Sequence, residues 1–471
     1  MRMRPASLSV ALAVLVTIAN SHDARAEELP RGAVVETVAC VSDAEQTYAL
    51  YLPSGYTPEK SWPIIYAFDP GGRGKVPVVL FHEVAEQNGY IVVGSNNSRN
   101  GPGVPLQKIL ATLWDDTHAR FTIDAQRVYT AGFSGGARVA CFFAYASGNR
   151  VAGVIAGGAG FPTNVRPQRD TPFALYGIAG VDDFNYFEVK DLNQQFEDLG
   201  LTHRMKTLGG GHEWPPADAL AEGLGWMEFQ AGKRAAGALN DKLGAELFQR
   251  DLESARSAEA RGLMFDAYLS YATLVRDFRG LRDVSEFEKK AALLKDSKEV
   301  KAAVREEQEQ RRQERSSQEA LVRLLPGVED PNSRVDAMAE FHAFVSNLLK
   351  KSEGQKDSSD RRVARRALYG VYVGLFQDAL NAYQIKDYPI ASRRLETATQ
   401  LRPRDPYVFV FLARTYTLQG SKKNALRALK RAVENGLTSP APLQQNKDFD
   451  KLRDEPEFKK LVDTLAKSPV E

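Results

Sequence analysis

One serine, one histidine and a pair of aspartates stand in an order that can perform acyl transfer. Gly132-Phe133-Ser134-Gly135-Gly136 is a G-x-S-x-G pentapeptide, preceded by the strand-like run Arg127-Val128-Tyr129-Thr130-Ala131 and followed by a helical pattern over residues 137–145. In that setting the pentapeptide is a sharp strand-to-helix turn whose small residues let the backbone bend and leave the serine hydroxyl exposed above a sheet. A serine hydroxyl is a weak nucleophile at neutral pH, so it needs a base, and the base needs an acid to orient it. With this turn the chain order is Ser, acid, His.

Six histidines compete for the role of base. His22 lies in the N-terminal stretch, His82 and His118 precede the serine on predicted helices, and His342 falls in a later helical region. His203 opens an alternating strand. His212 follows that strand after Gly209-Gly210-Gly211 and precedes Trp214-Pro215-Pro216, where a helix would start, so it sits on a loop and is the expected base. The acid should follow the strand ending at Tyr176. Asp182 and Asp183 stand there side by side; one of them is expected to cap the helix that begins near Tyr186, and spacing does not separate them.

The elements that must position these groups alternate between strand and helix over residues 37–229. Trp62-Pro63-Ile64-Ile65-Tyr66-Ala67-Phe68 reads as a strand buried on both faces and stops at the turn residues Asp69-Pro70-Gly71-Gly72. A helix over 78–87, the strand Tyr90-Ile91-Val92-Val93, a helix over 109–118 and the strand Phe173-Ala174-Leu175-Tyr176 continue the pattern. The expected fold class is α/β, a mostly parallel sheet with helices on both faces and functional loops at the carboxyl ends of the strands.

Two further stretches, Tyr48-Ala49-Leu50-Tyr51-Leu52-Pro53-Ser54-Gly55-Tyr56 and Phe121-Thr122-Ile123-Asp124-Ala125-Gln126-Arg127-Val128-Tyr129, together with the pentapeptide, carry a family likeness. Residues 48–229 resemble the α/β-hydrolase esterases of the polyhydroxybutyrate depolymerase and feruloyl esterase type. The stretch from Gly177 to Tyr186 is similar to the acid loop of secreted esterases, and that resemblance selects Asp183 over Asp182. It also implies an oxyanion hole made by the backbone N–H of Gly135 and that of Gly71 or Gly72. The chain departs from the family in having Asp69-Pro70 where His-Gly often stands. The activity implied is a serine esterase: Ser134 attacks an ester carbonyl, His212 takes its proton, Asp183 holds the imidazole, and water hydrolyses the acyl-enzyme. Hydroxyalkanoate, feruloyl and acetyl esters are the substrates the family suggests. No cofactor is implied. A peptidase or thioesterase of the same superfamily is the alternative chemistry.

Beyond residue 230 the strand signals end, and Ala, Leu, Glu, Lys and Arg recur at helical spacing. Residues 231–325 read as a helical linker region. It includes a helix-turn-helix around Gly280 and a charged run, Arg305-Glu306-Glu307-Gln308-Glu309-Gln310-Arg311-Arg312, expected to be a solvated helix or hinge. Over residues 326–471 an internal repeat appears: Ala391, Leu395 and Ala398 return as Ala425, Leu429 and Ala432, 34 positions later. That period resembles the tetratricopeptide repeat, which implies helix pairs and a surface for a protein or peptide partner. On this division the segment 37–230 would form a catalytic domain able to fold and hydrolyse small esters when cut near Gly232. A non-catalytic repeat scaffold carrying a vestigial hydrolase domain is the competing reading.

The ends and the composition narrow the remaining classes. Residues 1–26 carry two early arginines, a short apolar run and Ala24-Arg25-Ala26, the pattern of a cleaved signal peptide, so the protein is expected to be exported to the periplasm or secreted, with no membrane span after cleavage. A net charge of +2 argues against nucleic acid as a partner. The loop Gly71-Gly72-Arg73-Gly74-Lys75-Val76 lacks the Ser or Thr of a phosphate-binding P-loop, and no paired His or Cys spacing suggests a metal. Cys40 and Cys141 could pair in an oxidising compartment, but the sequence does not place them near each other, and Cys141 falls in a predicted buried helix, which favours a core role.

Overall fold

The computed structural model of the chain describes residues 29–234, 241–329, 334–354 and 356–467. The stretch read as a leader lies outside the described residues. Eight strands form one sheet: β1 (Val34–Ala39), β2 (Thr47–Tyr51), β3 (Trp62–Phe68), β4 (Ile91–Ser95), β5 (Ile123–Phe133), β6 (Gly153–Gly157), β7 (Ala174–Gly180) and β8 (His203–Leu208). Their spatial order is β1-β2-β4-β3-β5-β6-β7-β8, with β2 antiparallel to both neighbours and every other pairing parallel. Five helices cover the sheet: α1 (Lys75–Asn88), α2 (Leu106–Arg120), α3 (Gly135–Ala146), α4 (Tyr186–Asp198) and α5 (Ala217–Arg234).

The two-sided burial follows from the pleat. Ile65, Tyr129, Ile155 and Tyr176 point into the layer under α1 and α5, whereas Ile64, Tyr66, Val128 and Leu175 point into the layer under α2, α3 and α4. All seven residues of β3 are buried, so a continuous apolar run rather than an alternating one marks a strand with helices on each side. β6 is written Gly-Val-Ile-Ala-Gly, and its glycines hide it from β-propensity. Close packing explains Gly153, because a Cβ there would lie 2.3 Å from the Met227 sulfur. Cys40 and Cys141 are buried in the same layer as free thiols.

This mostly parallel sheet is the α/β-hydrolase fold class, and an all-helical region follows it. Helices α6 (Asp241–Ala260), α7 (Met264–Phe278) and α8 (Ser285–Asp296) do not stand apart from the sheet. Leu247, Leu252, Tyr271, Leu274 and Phe278 share one core with Trp226 and Phe229 of α5. Within this joint Arg204 of β8 is buried and donates to Asp251 of α6 at 3.3 Å and to Asp277 of α7 at 3.1 Å, while Trp226 Nε1–H donates to Asp277 at 3.0 Å.

The chain then crosses toward the carboxyl ends of the strands in α9 (Lys298–Glu329) and returns through α10 (Arg334–Ser352), α11 (Ser359–Gln384), α12 (Tyr388–Leu401), α13 (Pro406–Leu418) and α14 (Lys422–Glu434), which enclose a second core. The charged run expected to be solvated lies on α9 and is largely exposed, but Glu307 and Arg311 within it reach the sheet domain. Glu307 accepts from Tyr186 and Lys190, Arg311 donates to Asp191 at 2.7 Å, and Arg366 of α11 donates to Glu314 at 2.6 Å. The pairings of Glu307 and Arg311 cross an interface, which local periodicity cannot reveal. Ala391, Leu395, Ala398 and their counterparts Ala425, Leu429 and Ala432 are all fully buried where paired helices meet. Among the described residues no helix is long and apolar enough to cross a membrane.

Lys386 (φ 65°) and Gly420 (φ 84°) occupy equivalent turns one repeat apart, and the left-handed conformation suits only glycine without strain. Lys386→Gly is therefore expected to raise, and Gly420→Ala to lower, unfolding stability by about 1 kcal/mol each in a denaturant titration. A chain ending near Gly232 would lose both partners of Arg204 and uncover Trp226 and Phe229. In contrast to the independence suggested by composition, it is expected to aggregate, and Asp277→Ala in the full chain is expected to cost about 3–5 kcal/mol.

Candidate active site

Ser134 sits between β5 and α3 with φ 54° and ψ −121°, a strained conformation for a residue with a side chain. The neighbouring glycines make it attainable. A Cβ on Gly132 would lie 2.2 Å from the Gly136 carbonyl oxygen, and one on Gly136 would lie 1.9 Å from the Phe68 carbonyl oxygen, so the turn closes only where side chains are missing. The Ser134 N–H donates to the Gly157 carbonyl at 2.8 Å, anchoring the turn to β6.

Three strand ends meet at this turn. His212, on the loop after β8, has Nε2 2.8 Å from Ser134 Oγ, and its Nδ1 lies 2.9 Å from Asp183 Oδ1 on the loop after β7. Asp183 is buried, and its Oδ1 also accepts from the Asn185 backbone N–H at 2.8 Å. Asn185 in turn donates its side-chain amide to the Gly158 carbonyl at 2.7 Å, tying the acid loop to the end of β6. The neighbouring Asp182 does not reach the imidazole. Its Oδ2 accepts from Arg365 of α11 at 2.7 Å, with Arg361 3.7 Å away. Neither aspartate caps α4 with its side chain; the N-cap position is Asn185.

The loop after β3 is organised by Asp69, which is fully buried. Asp69 accepts from Arg73 through both oxygens at 2.8 and 2.9 Å, from Trp214 Nε1–H at 2.9 Å and from the Gly71 N–H at 2.8 Å. Burial by itself would push this carboxyl up, but the donors from Arg73, Trp214 and Gly71 hold it below the usual carboxylate range. Asp69 thus links the loop of Gly71 and Gly72 to Trp214, two residues beyond His212. Gly71 and Gly72 lie on this loop after β3, and both N–H groups are engaged here, that of Gly72 with the Asp69 carbonyl at 3.1 Å. The Gly135 N–H, as the first of α3, has no intrahelical acceptor. Over it lies the Asn100 carboxamide, for a Cβ on Gly135 would sit 1.8 Å from Asn100 Oδ1 and 2.8 Å from Nδ2.

Residues far away in sequence complete the surroundings. The His212 ring packs against Phe184 at 4.4 Å and Phe133 at 4.6 Å between centroids, and Tyr369 of α11 lies 5.9 Å away, packed beside Phe184 so that the three rings form one cluster. Arg402 stacks over Tyr369 at 4.7 Å. Beside His212 a cavity of about 500 Å³ opens between the two parts of the chain, lined by Asp182, His212 and Glu213 on one side and by Leu368, Tyr369 and Arg402 on the other. That volume is within the range of small-molecule sites. The sequence marks none of Asn100, Tyr369 or Arg402. Tyr369 lies on a helix whose periodicity signals only packing, and Arg402 stands in the turn that follows α12.

A covered imidazole bridging a hydroxyl and a buried carboxylate is an arrangement that can draw a proton from the hydroxyl and stabilise the resulting imidazolium. No family model matches the chain, and no curated protein matches it. Among solved structures, a ferulic acid esterase is similar at 19% identity, covering 41% of this chain and 96% of its own, with a TM-score of 0.36. A fluorophosphonate-binding serine hydrolase of Staphylococcus aureus is similar at 14% identity, covering 42% of this chain and 99% of its own, with a TM-score of 0.35. The feruloyl esterase module from Clostridium thermocellum is similar at 14% identity, covering 44% of this chain and 89% of its own, with a TM-score of 0.32.

Proposed function

We propose that this protein is a serine hydrolase that cleaves carboxylic esters through an acyl-enzyme, with Ser134 as nucleophile, His212 as general base and Asp183 as the acid that orients the base. The observation that carries the reading is the continuous pair of hydrogen bonds, 2.8 Å from Ser134 to His212 and 2.9 Å from His212 to Asp183, on a turn that holds Ser134 at positive φ. Attack by Oγ on the ester carbonyl forms a tetrahedral oxyanion while Nε2 receives the hydroxyl proton. Collapse returns that proton to the departing alcohol, and water repeats the sequence on the acyl-enzyme.

The oxyanion needs fixed donors, and losing one typically costs about 3–4 kcal/mol. The Gly135 N–H is the first. A second can come from Gly71, if its N–H leaves Asp69 for the oxyanion; Asp69 would keep Arg73 and Trp214 as partners. Asn100 Nδ2, beside Gly135, is the other donor within the site. The cavity lined by Tyr369 and Arg402 is where we place the body of the substrate. We further propose export on the strength of the leader pattern in residues 1–26, and partner binding through the exposed faces of the repeated helix pairs, which resemble tetratricopeptide repeats.

Ser134→Ala is expected to lower turnover of a short-chain nitrophenyl ester by roughly 10⁴- to 10⁶-fold with little change in thermal midpoint, since the covalent step is removed and packing is not. Retained turnover would sink the proposal. Asp183→Asn is expected to reduce kcat by about 10⁴-fold by fixing the wrong imidazole tautomer, far more than Asp182→Asn. The two rates, measured side by side, decide which carboxylate serves His212.

A further inference from the structure

The loop that carries Asp183 has a second set of contacts that come from the helical region. Arg366 of α11 is 1% exposed and donates Nη1–H to the Val181 carbonyl at 2.7 Å. Its Nε–H donates to Glu314 of α9 at 2.6 Å and its Nη2–H to Gln310 at 3.3 Å, and the guanidinium plane covers Phe187 at 4.8 Å. Arg365, the preceding residue, donates Nη1–H to Asp182 at 2.7 Å and Nε–H to the Ser352 carbonyl at 2.8 Å. Three residues further along α11, Tyr369 packs on Phe184 at 5.3 Å between centroids. Residues 181, 182 and 184 are therefore each held by α11, and residue 183 between them is the one that turns inward to His212.

The geometry points to Arg365 and Arg366 as positioning residues for the catalytic acid: the helical region holds the loop 181–184 so that Asp183 keeps the imidazole aligned on Ser134. This rests on the Ser134, His212 and Asp183 reading above. Neither arginine touches the imidazole or the hydroxyl, so each acts through the loop. Few of the loop's own bonds could replace them. Within the sheet domain its backbone is held by N–H donation from Val181 to Leu208 at 2.9 Å and from Asp182 to Gly210 at 2.9 Å, both acceptors being on the His212 side. The Asn185 side chain, donating to the Gly158 carbonyl at 2.7 Å, ties the far end of the loop to β6; without α11, residues 181–184 would rest on that bond and on the base loop, with less to fix Asp183 relative to Ser134. The planar guanidinium matters at residue 366, because one side chain must serve a carbonyl, a carboxylate and an aromatic face together, which an ammonium cannot do. Asp182 gains a role by the same argument. It is the receptor for Arg365, and that is why a second acid stands beside the one that serves the histidine.

The test uses the full chain. Arg365→Gln, Arg365→Lys, Arg366→Lys and Asp182→Asn are compared with the parent for kcat and KM on a small nitrophenyl ester, for thermal midpoint, and for the downfield proton NMR resonance of the His212 Nδ1–H. Loss of loop alignment is expected to lower kcat roughly ten- to a hundredfold in Arg365→Gln and Arg366→Lys, as sub-ångström to ångström displacement of a catalytic group does, with KM changed less than threefold. The resonance should broaden or vanish in both while the chain remains folded, and Arg365→Lys should recover most of the loss because it can still reach Asp182. Arg365→Gln combined with Asp182→Asn should be no worse than the more severe single variant. Unchanged kcat and resonance in folded Arg365→Gln and Arg366→Lys would overturn the positioning role and leave the triad intact. A parent protein with neither turnover nor the resonance would overturn the triad reading and this inference with it. Should Arg366→Lys fail to fold, Arg365→Gln decides the matter alone, because its side chain is 39% exposed and its loss leaves Glu314 paired.

Discussion

An imidazole held between a hydroxyl and a carboxylate must have its ring fixed in two directions, and in this protein no single segment can do that. His212 stands on the loop after β8, Asp183 on the loop after β7 and Ser134 on the turn after β5, so their hydrogen bonds exist only because parallel strands end side by side. The register of the sheet sets where those ends fall, and its two buried faces set the register: a slip of one residue would exchange the contents of two separate cores. The glycines at 132 and 136 belong to the same constraint, since the turn that raises Ser134 above the sheet leaves no room for side chains there.

Around this arrangement the helical region is built as part of the molecule's frame and not as an appendage. Its first helices complete the core under α5 and bury Arg204 between two aspartates, an arrangement in which losing one partner is far more costly than the pair is worth. Its later helices return over the carboxyl ends of the strands and form one wall of the cavity beside His212. The long helix α9 spans the distance between these two positions; Glu307 and Arg311 find partners on α4 of the sheet domain along the way, and Glu314 finds Arg366 of α11.

Charge placement in the molecule follows one rule, that a buried ion is surrounded by donors or acceptors from several elements. Asp69 collects Arg73, Trp214 and Gly71; Arg204 collects Asp251 and Asp277; Arg366 collects Glu314, Gln310 and the Val181 carbonyl. Glu314 shows the competing effect. Burial pushes its carboxyl up, while Arg366 and Arg311 draw it down. Such groups give a joint its geometry because directional bonds are satisfied in one arrangement only.

The sequence by itself determined the features that depend on local chain chemistry. The strand-turn-helix around Ser134 was legible because glycines at fixed offsets have one structural use there, and His212 was legible because it alone lies on a loop after the last strand. The buried faces of the repeat were legible for the same reason, as small and apolar residues recur at the spacing of packed helices. What only the tertiary structure decided are the relations between segments far apart in the sequence. Asp182 and Asp183 are chemically identical neighbours, and what distinguishes them is that one faces His212 and the other faces Arg365, a residue 183 positions away. The strand Gly153–Gly157 was hidden because its glycines answer to Met227 and Pro215, which approach from other elements. The charged run on α9 has the composition of a solvated helix, and its pairing with the sheet domain is invisible to any local pattern. Helical periodicity records that a face is buried; it does not record against what, and that is why the contribution of α11 to the site could be read only from the fold.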